Sequence, residues 1–170
     1  GTPYEALALV VQQTGMPARY PRDLIQGFRI DMEERPFRTF DDTLTYCYHV
    51  AGCVGVMMAI VMGVKPDERA VLERACDLGM SFQLNNIARD VVEDAMNGRR
   101  YIPDDWLASV RLEPDIYVLE RNRRQLSRLV EDWQREANER STRLSRSACT
   151  APAWPTFSSY RSRSPFPRRS

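Results

Sequence analysis

The sequence predicts an all-α protein, and three observations carry that expectation. Apolar residues recur at helical spacing in several windows, and Ser/Thr/Asp, Pro and Gly punctuate those windows where helices start and stop. No stretch holds a convincing strand period. The chain has 170 residues, enough for one domain with a sizeable core. Its 24 Lys+Arg against 23 Asp+Glu leave a formal net charge of +1, so no electrostatic case for nucleic acid arises.

The first element opens at Thr2-Pro3-Tyr4-Glu5, which combines a capping hydroxyl, proline at the first helical position and glutamate three residues after the cap; Gly15 closes it. Pro17 and Pro21 lead into a second helix over 22–35, where Leu24, Ile25, Phe28 and Met32 form the expected apolar face before Pro36 stops it. Its other face, with Arg29, Asp31, Glu33 and Glu34, is expected in solvent. Asp41 or Asp42 caps a third helix that runs to Met62 and ends at Gly63, with Tyr46, Val50 and Cys53 on one face. Gly52 and Gly55 on this helix would let a neighbouring helix or a ligand approach closely. His49 has no Ser or Cys partner and reads as structural.

Pro66, Asp67 and Glu68 start a fourth helix that should run to about Asn97 with Gly98 as its cap, about 45 to 50 Å long. A basic loop, Arg99-Arg100-Tyr101-Ile102-Pro103, follows, able either to pair with nearby carboxylates or to clamp an anion. A short helix over 104–108 comes next. The last one begins near Asp115 or Tyr117 and carries Leu126, Leu129, Val130, Trp133 and Ala137 as its stripe.

The domain is therefore expected over 1–140. From Ser141 the composition turns to Ser, Arg and Pro without apolar period, which predicts disorder over 141–170. An aberrant reading frame is the simpler account of that tail. Cys47, Cys53, Cys76 and Cys149 have no metal-ligand spacing, and the first three sit in apolar helices, which fits a reducing, cytoplasmic setting. The most apolar run, 50–64, is short for a membrane span; peripheral membrane contact stays open.

The fourth helix contains the chemistry. At about 100° per residue, Gln83, Asn86, Asp90 and Asp94 fall within an arc of roughly 80°, a stripe of amides and carboxylates. Ile87, Val91, Leu84, Ala95, Phe82, Val92 and Met96 fill most of the remaining surface, so the helix is expected to be buried nearly all round. Two aspartates four apart repel, and burial worsens the repulsion, so a cation is expected there. Mg²⁺ suits one or two carboxylates with amide oxygens, waters and substrate phosphates. Mn²⁺ is the alternative ion. The competing account is a solvated or salt-bridged acidic face.

Tyr46-Cys47-Tyr48-His49-Val50-Ala51-Gly52, then Gln83-Leu84 through Asn86, Arg89, Asp90 and Asp94, then Gly98-Arg99 with Tyr101 and Pro103, resemble in order and spacing the squalene and phytoene synthase family, most closely its bacterial phytoene synthases. The resemblance implies an isoprenoid (terpenoid) synthase helical bundle, partial here, with two aspartate-rich helices facing across Mg²⁺ and diphosphate. It implies a prenyltransferase joining two geranylgeranyl diphosphates head to head. Asn86, Asp90 and Asp94 match the family's second metal-binding motif, with the two aspartates also counted as catalytic. Gln83 and Arg89 match residues near the diphosphate, and Tyr46 matches a catalytic tyrosine near the reacting carbons. Val50, Ala51, Arg99 and Tyr101 complete the substrate-binding set. The resemblance supplies a prenyl diphosphate partner and no partner protein.

The first aspartate-rich motif would precede Gly1, and Asp90 to Asp94 is the one Asp-x-x-x-Asp present. The chain is therefore expected to be a fragment, inactive alone. Squalene or dehydrosqualene synthesis from farnesyl diphosphate is the alternative chemistry, and a non-catalytic assembly module the alternative class. The retained carboxylates argue against the module.

Overall fold

Local chemistry bounds the first helix, and Val10 and Val11 pack it against the core. In the computed structural model, which describes residues 1–33 and 35–146, α1 (Pro3–Thr14) has the full capping box: the Glu5 amide donates to the Thr2 hydroxyl at 3.3 Å and the Thr2 amide to Glu5 Oε2 at 2.8 Å. Gly15 ends it at φ 65°, the left-handed region. None of its residues is buried.

α2 (Arg19–Met32) overturns the expected orientation. Of the anticipated apolar face, Leu24 packs on the core but Ile25, Phe28 and Met32 are exposed, while Tyr20 and Gly27 are buried and Asp23 and Asp31 turn inward. The reason is close approach. A Cβ on Gly27 would stand 2.8 Å from Val50 Cγ1 and 3.1 Å from the His49 backbone, so only this face can come so near the next helix. The helix also starts and stops about three residues earlier than the pattern suggested.

Thr39, not Asp41 or Asp42, caps α3 (Phe40–Cys47): its hydroxyl accepts from the Asp42 amide, and Asp42 Oδ2 accepts from the Thr39 amide at 2.9 Å. The helix continues through a five-residue π turn, Tyr48–Gly52, into α4 (Cys53–Val61), ending near Gly63 at φ 104°. The π turn rotates the register, so Tyr46 and Cys53 do not share a face: Tyr46 joins one hydrophobic cluster and Cys53 another. Burial pushes the Cys53 thiol up to about 12, an inert buried sulfhydryl.

α5 (Arg69–Met96) starts after Pro66-Asp67-Glu68, which form a turn rather than its first helical residues. Its 28 residues span about 42 Å. It packs against α4, the π turn and α7, burying Leu72, Cys76, Leu84, Ile87, Ala88 and Val91. The expectation of burial all round fails: Phe82 is 62% and Met96 81% exposed, and Leu78 and Val92 also face outward. Two glycines set the crossing. A Cβ on Gly55 would lie 2.2 Å from the Ala75 carbonyl oxygen, and one on Gly79 would lie 2.3 Å from that of Ala51.

α6 (Asp104–Ser109) matches its expected place. A 3₁₀ turn, Glu120–Asn122, precedes α7 (Arg123–Arg146), so the last helix begins later than Asp115 or Tyr117; Tyr117 is instead buried in the connection. Leu126, Leu129, Trp133 and Ala137 are buried as the stripe required, and Trp133 Nε1 donates to the Leu84 carbonyl at 2.8 Å. α7 continues past Ser141; the rest of the tail lies outside the described residues.

Among the described residues one continuous helical run, Phe40–Val61, is long and apolar enough to cross a membrane by length and composition. It is the central helix of the bundle, packed between α2 and α5. All described elements are helices or turns, in agreement with the all-α expectation.

The glycine contacts give a prediction opposite in sign to helix propensity, by which Gly→Ala gains roughly 1 kcal/mol. Gly79→Ala and Gly55→Ala should each lose more than about 2 kcal/mol, because the added methyl meets backbone rather than a movable side chain. Chemical denaturation of the two variants beside wild type measures this; an unchanged midpoint would mean the helices separate without cost.

Candidate active site

On α5 the stripe predicted from spacing is real. Gln83, Asn86, Asp90 and Asp94 are all half-buried, between the core face of Leu84, Ile87 and Val91 and the open face of Leu78 and Phe82. The arrangement places two carboxylates at the C-terminal end of the helix and apolar surface toward its start.

The two aspartates differ electrically. Asp90 is gripped by its neighbour Arg89 as a fork, Nε to Oδ1 and Nη2 to Oδ2, both at 2.6 Å. Those hydrogen bonds hold the Asp90 carboxyl below the usual carboxylate range and push the Arg89 guanidinium up. Arg89 is exposed and Asp90 half-open to solvent, so the pair is weak and readily exchanged for another partner. Asp94 goes the other way: burial first, then repulsion from Asp90, raise it, with Arg99 as a partial offset. An ionised Asp94 thus lacks full compensation, the condition a cation would relieve.

Arg99 owes its position to the end of α5. Gly98 turns left-handed at φ 74°, its amide donating to the Ala95 carbonyl, and the Arg99 amide returns to the Asp94 carbonyl at 2.8 Å. Arg100 faces away from the stripe, bonding the Ile102 carbonyl at 2.8 Å and pairing with Asp104 at 2.8 Å. The buried Thr43 hydroxyl donates to the Tyr101 carbonyl at 2.9 Å and fixes the loop on α3.

That loop delivers Tyr101 onto Tyr46. The rings stack with centroids 4.9 Å apart and planes at 19°, and Phe37 meets Tyr46 edge-on at 5.4 Å. Tyr46 is only 4% exposed. Its hydroxyl donates to Asp31 Oδ2 at 3.3 Å, and that of Tyr101 to Asp31 Oδ1 at 3.0 Å. Desolvation is the main cause that raises both phenols, so they stay protonated. Asp31 also lies within electrostatic range of Asp94 and Arg99, which joins the aromatic pair to the acidic end of α5.

The sequence-predicted residues thus fall into groups. Gln83, Asn86, Arg89, Asp90 and Asp94 lie along one helix, and Tyr46, Tyr101 and Arg99 gather beside its end. Val50 and Ala51 sit on the π turn, both half-buried, with Val50 packed toward Gly27 and the Ala51 carbonyl against Gly79. His49 is structural as expected, its Nδ1 2.9 Å from the Asp23 carbonyl.

Asp31 and Phe37 were missed. A signal existed: Asp23, Gly27 and Asp31 recur every four residues, a polar and small stripe that is the inward face of α2. Among the described residues no group of three or more His, Cys, Asp or Glu is placed to hold a metal. Asp90, Asp94 and the Asn86 amide nonetheless have the donor chemistry for part of a Mg²⁺ shell.

The squalene/phytoene synthase family model matches residues 2–154. A 15-cis-phytoene synthase of Paracoccus sp. is 53% identical over 124 residues, covering 69% of this chain and 40% of that protein. One of Enterobacter agglomerans is 54% identical over 115 residues, 68% of this chain and 38% of that protein. The chain therefore spans about two fifths of the length of these curated relatives. A dehydrosqualene synthase crystal structure superposes with a TM-score of 0.74 at 27% identity, over 85% of this chain and 50% of that one.

The opposed shifts give a signed prediction. Because Asp94 is raised in the fold, the folded state holds its proton more tightly than the unfolded state does, so ionisation destabilises the fold above the ordinary carboxylate range and the penalty vanishes as pH falls below it. Asp94→Asn should raise the Tm without divalent ions at about pH 7, with the gain shrinking as pH falls through ~4. Asp90→Asn, which loses an exposed pair whose contribution exists above that range, should change Tm little and downward. Thermal unfolding at both pH values decides; destabilisation by Asp94→Asn at neutral pH would make Asp94 an ordinary ion-pair partner.

Proposed function

The chain belongs to the squalene/phytoene synthase family, and from that premise we propose that it carries the second diphosphate-binding helix of a prenyltransferase that joins two geranylgeranyl diphosphates head to head into phytoene. The observation that carries this reading is the half-buried Gln83–Asn86–Asp90–Asp94 stripe with exposed Leu78 and Phe82 continuing from it. From Asp90 back to Leu78 is 12 residues, about 18 Å of helix, a length suited to an extended prenyl chain beside its diphosphate. Identities of 53–54% to phytoene synthases, against 27% to the dehydrosqualene synthase, favour the C20 substrate over farnesyl diphosphate.

Asp90, Asp94 and Asn86 would hold Mg²⁺, whose contribution when bound is to neutralise the departing diphosphate. Arg89 is able to leave Asp90 for phosphate oxygens, because an exposed ion pair costs little to exchange and a guanidinium fork fits phosphate. Arg99 adds a second cation on the same side. As the allylic carbon ionises, the half-buried Tyr101, with Tyr46 stacked behind it, offers an aromatic face to the developing cation, and the apolar surroundings exclude water that would capture it. The first ionisation releases one diphosphate, attack by the second chain's alkene with loss of a proton closes a cyclopropyl diphosphate, and a second ionisation releases the other diphosphate before rearrangement and a terminal proton loss. A hydrocarbon product fits a cytoplasmic protein peripheral to a membrane, and exposed Ile25, Phe28 and Met32 flanked by Arg22 and Arg29 on α2 supply an apolar, basic face for it.

The test is a chimera in which the matched stretch of this chain replaces its counterpart in the Paracoccus protein. It should convert geranylgeranyl diphosphate to phytoene with Mg²⁺, whereas the 170-residue chain alone should not, since one aspartate pair lacks opposing ligands. In the chimera, Asp90→Asn and Asp94→Asn should each lower turnover about 10²- to 10³-fold and raise the Mg²⁺ requirement. A folded chimera without prenyl transfer overturns the reading.

A further inference from the structure

Both oxygens of Asp31 are committed, each to a different phenol. Tyr46 comes from α3 and Tyr101 from the loop after α5, so one carboxylate on α2 ties together three separate parts of the chain. Stacking at 4.9 Å fixes the spacing of two aromatic planes but leaves them free to slide over one another. The two hydroxyls also interact with each other, and Tyr101 with Arg99, but it is the shared carboxylate that ties both phenols to α2 and removes that slide.

The choice of a carboxylate has a chemical consequence. An ionised aspartate only accepts hydrogen bonds, so both phenols must donate toward it and turn their lone pairs away. An asparagine offers one oxygen and one amide, and would force one phenol to reverse. The negative charge also lies at the hydroxyl end of both rings, where it enriches their faces for a cation on the far side.

We propose that Asp31 is a positioning residue of the site, holding the Tyr46–Tyr101 pair in the register in which its rings meet the reacting carbons. The proposal rests on the prenyltransferase reading. α2 supplies its own control: Asp23 Oδ2 accepts from the Tyr48 hydroxyl at 2.6 Å, the same chemistry on the same helix, in the other hydrophobic cluster and away from the stacked pair.

In the chimera, Asp31→Asn should lower kcat by about 10- to 10²-fold, with KM and the Mg²⁺ requirement within about twofold of wild type. Tyr46→Phe should lower kcat comparably, the double variant should fall no further than the worse single, and Asp31→Glu should recover part of the loss. Asp23→Asn should leave kcat within about twofold even where it lowers the Tm. Equal kcat losses in the Asp31 and Asp23 variants, or multiplicative loss with Tyr46→Phe, overturn the proposal. Should the unmutated chimera fold and yet be inactive, the prenyltransferase reading fails on its own. The 170-residue chain then decides the tether: Asp31→Asn and Tyr101→Phe must be non-additive in thermal stability, and simple additivity refutes it.

Discussion

The molecule depends on backbone meeting backbone where the central helical run crosses α5. Gly55 against Ala75 and Gly79 against Ala51 leave no room for a methyl group on either side, so the two helices run closer than side-chain packing would allow. Gly52 repeats the theme, with Cys76 Sγ at 2.9 Å from where its Cβ would be. A crossing fixed by main chain is stiff, because main chain has no rotamers to yield. It sets the rotation of α5, and that rotation decides that Leu84, Ile87 and Val91 face the core while the amide and carboxylate stripe stands at its edge.

α2 meets the same central run through Gly27, with consequences for charge. Turning its small face inward carries Asp23 and Asp31 with it and leaves Ile25, Phe28 and Met32 outside. Each aspartate is compensated by phenol hydroxyls, which is how a carboxylate becomes tolerable in a half-apolar setting. The helix still packs inward through Tyr20, Leu24, Gly27 and Ile30, but the close approach at Gly27 brings the two aspartates in with them and leaves three large apolar side chains outside.

The C-terminal end of α5 combines a carboxylate held low by a guanidinium with one raised by burial. Asp90 has an exposed guanidinium for company, whereas Asp94 carries the cost of burial and of its neighbour's charge. Under the proposed function, such asymmetry would let Arg89 turn to an anion while the raised Asp94 gains from a cation. The Schellman turn at Gly98 then keeps Arg99 within reach without an additional element.

Much of this was legible in the sequence because it is local. Caps at Thr2 and Glu5, stops at Gly15 and Gly98, the Trp133 face of α7 and the rotation-invariant stripe from Gln83 to Asp94 follow from spacing along one helix, and each stands in the structure. Thr39 took the capping role from Asp41 and Asp42 because Asp42 serves better three residues on, reaching back to the amide. The π turn, the inward face of α2, the outward Phe82 and Met96, and the Asp31 bridge were not legible. Each depends on which surfaces meet, and hydrophobic periodicity ranks faces by transfer energy without knowing where two backbones must touch. Asp31, between Arg29 and Glu33, has the neighbours of a solvated residue in one dimension; only the approach of α3 and the 99–103 loop gives it two phenols.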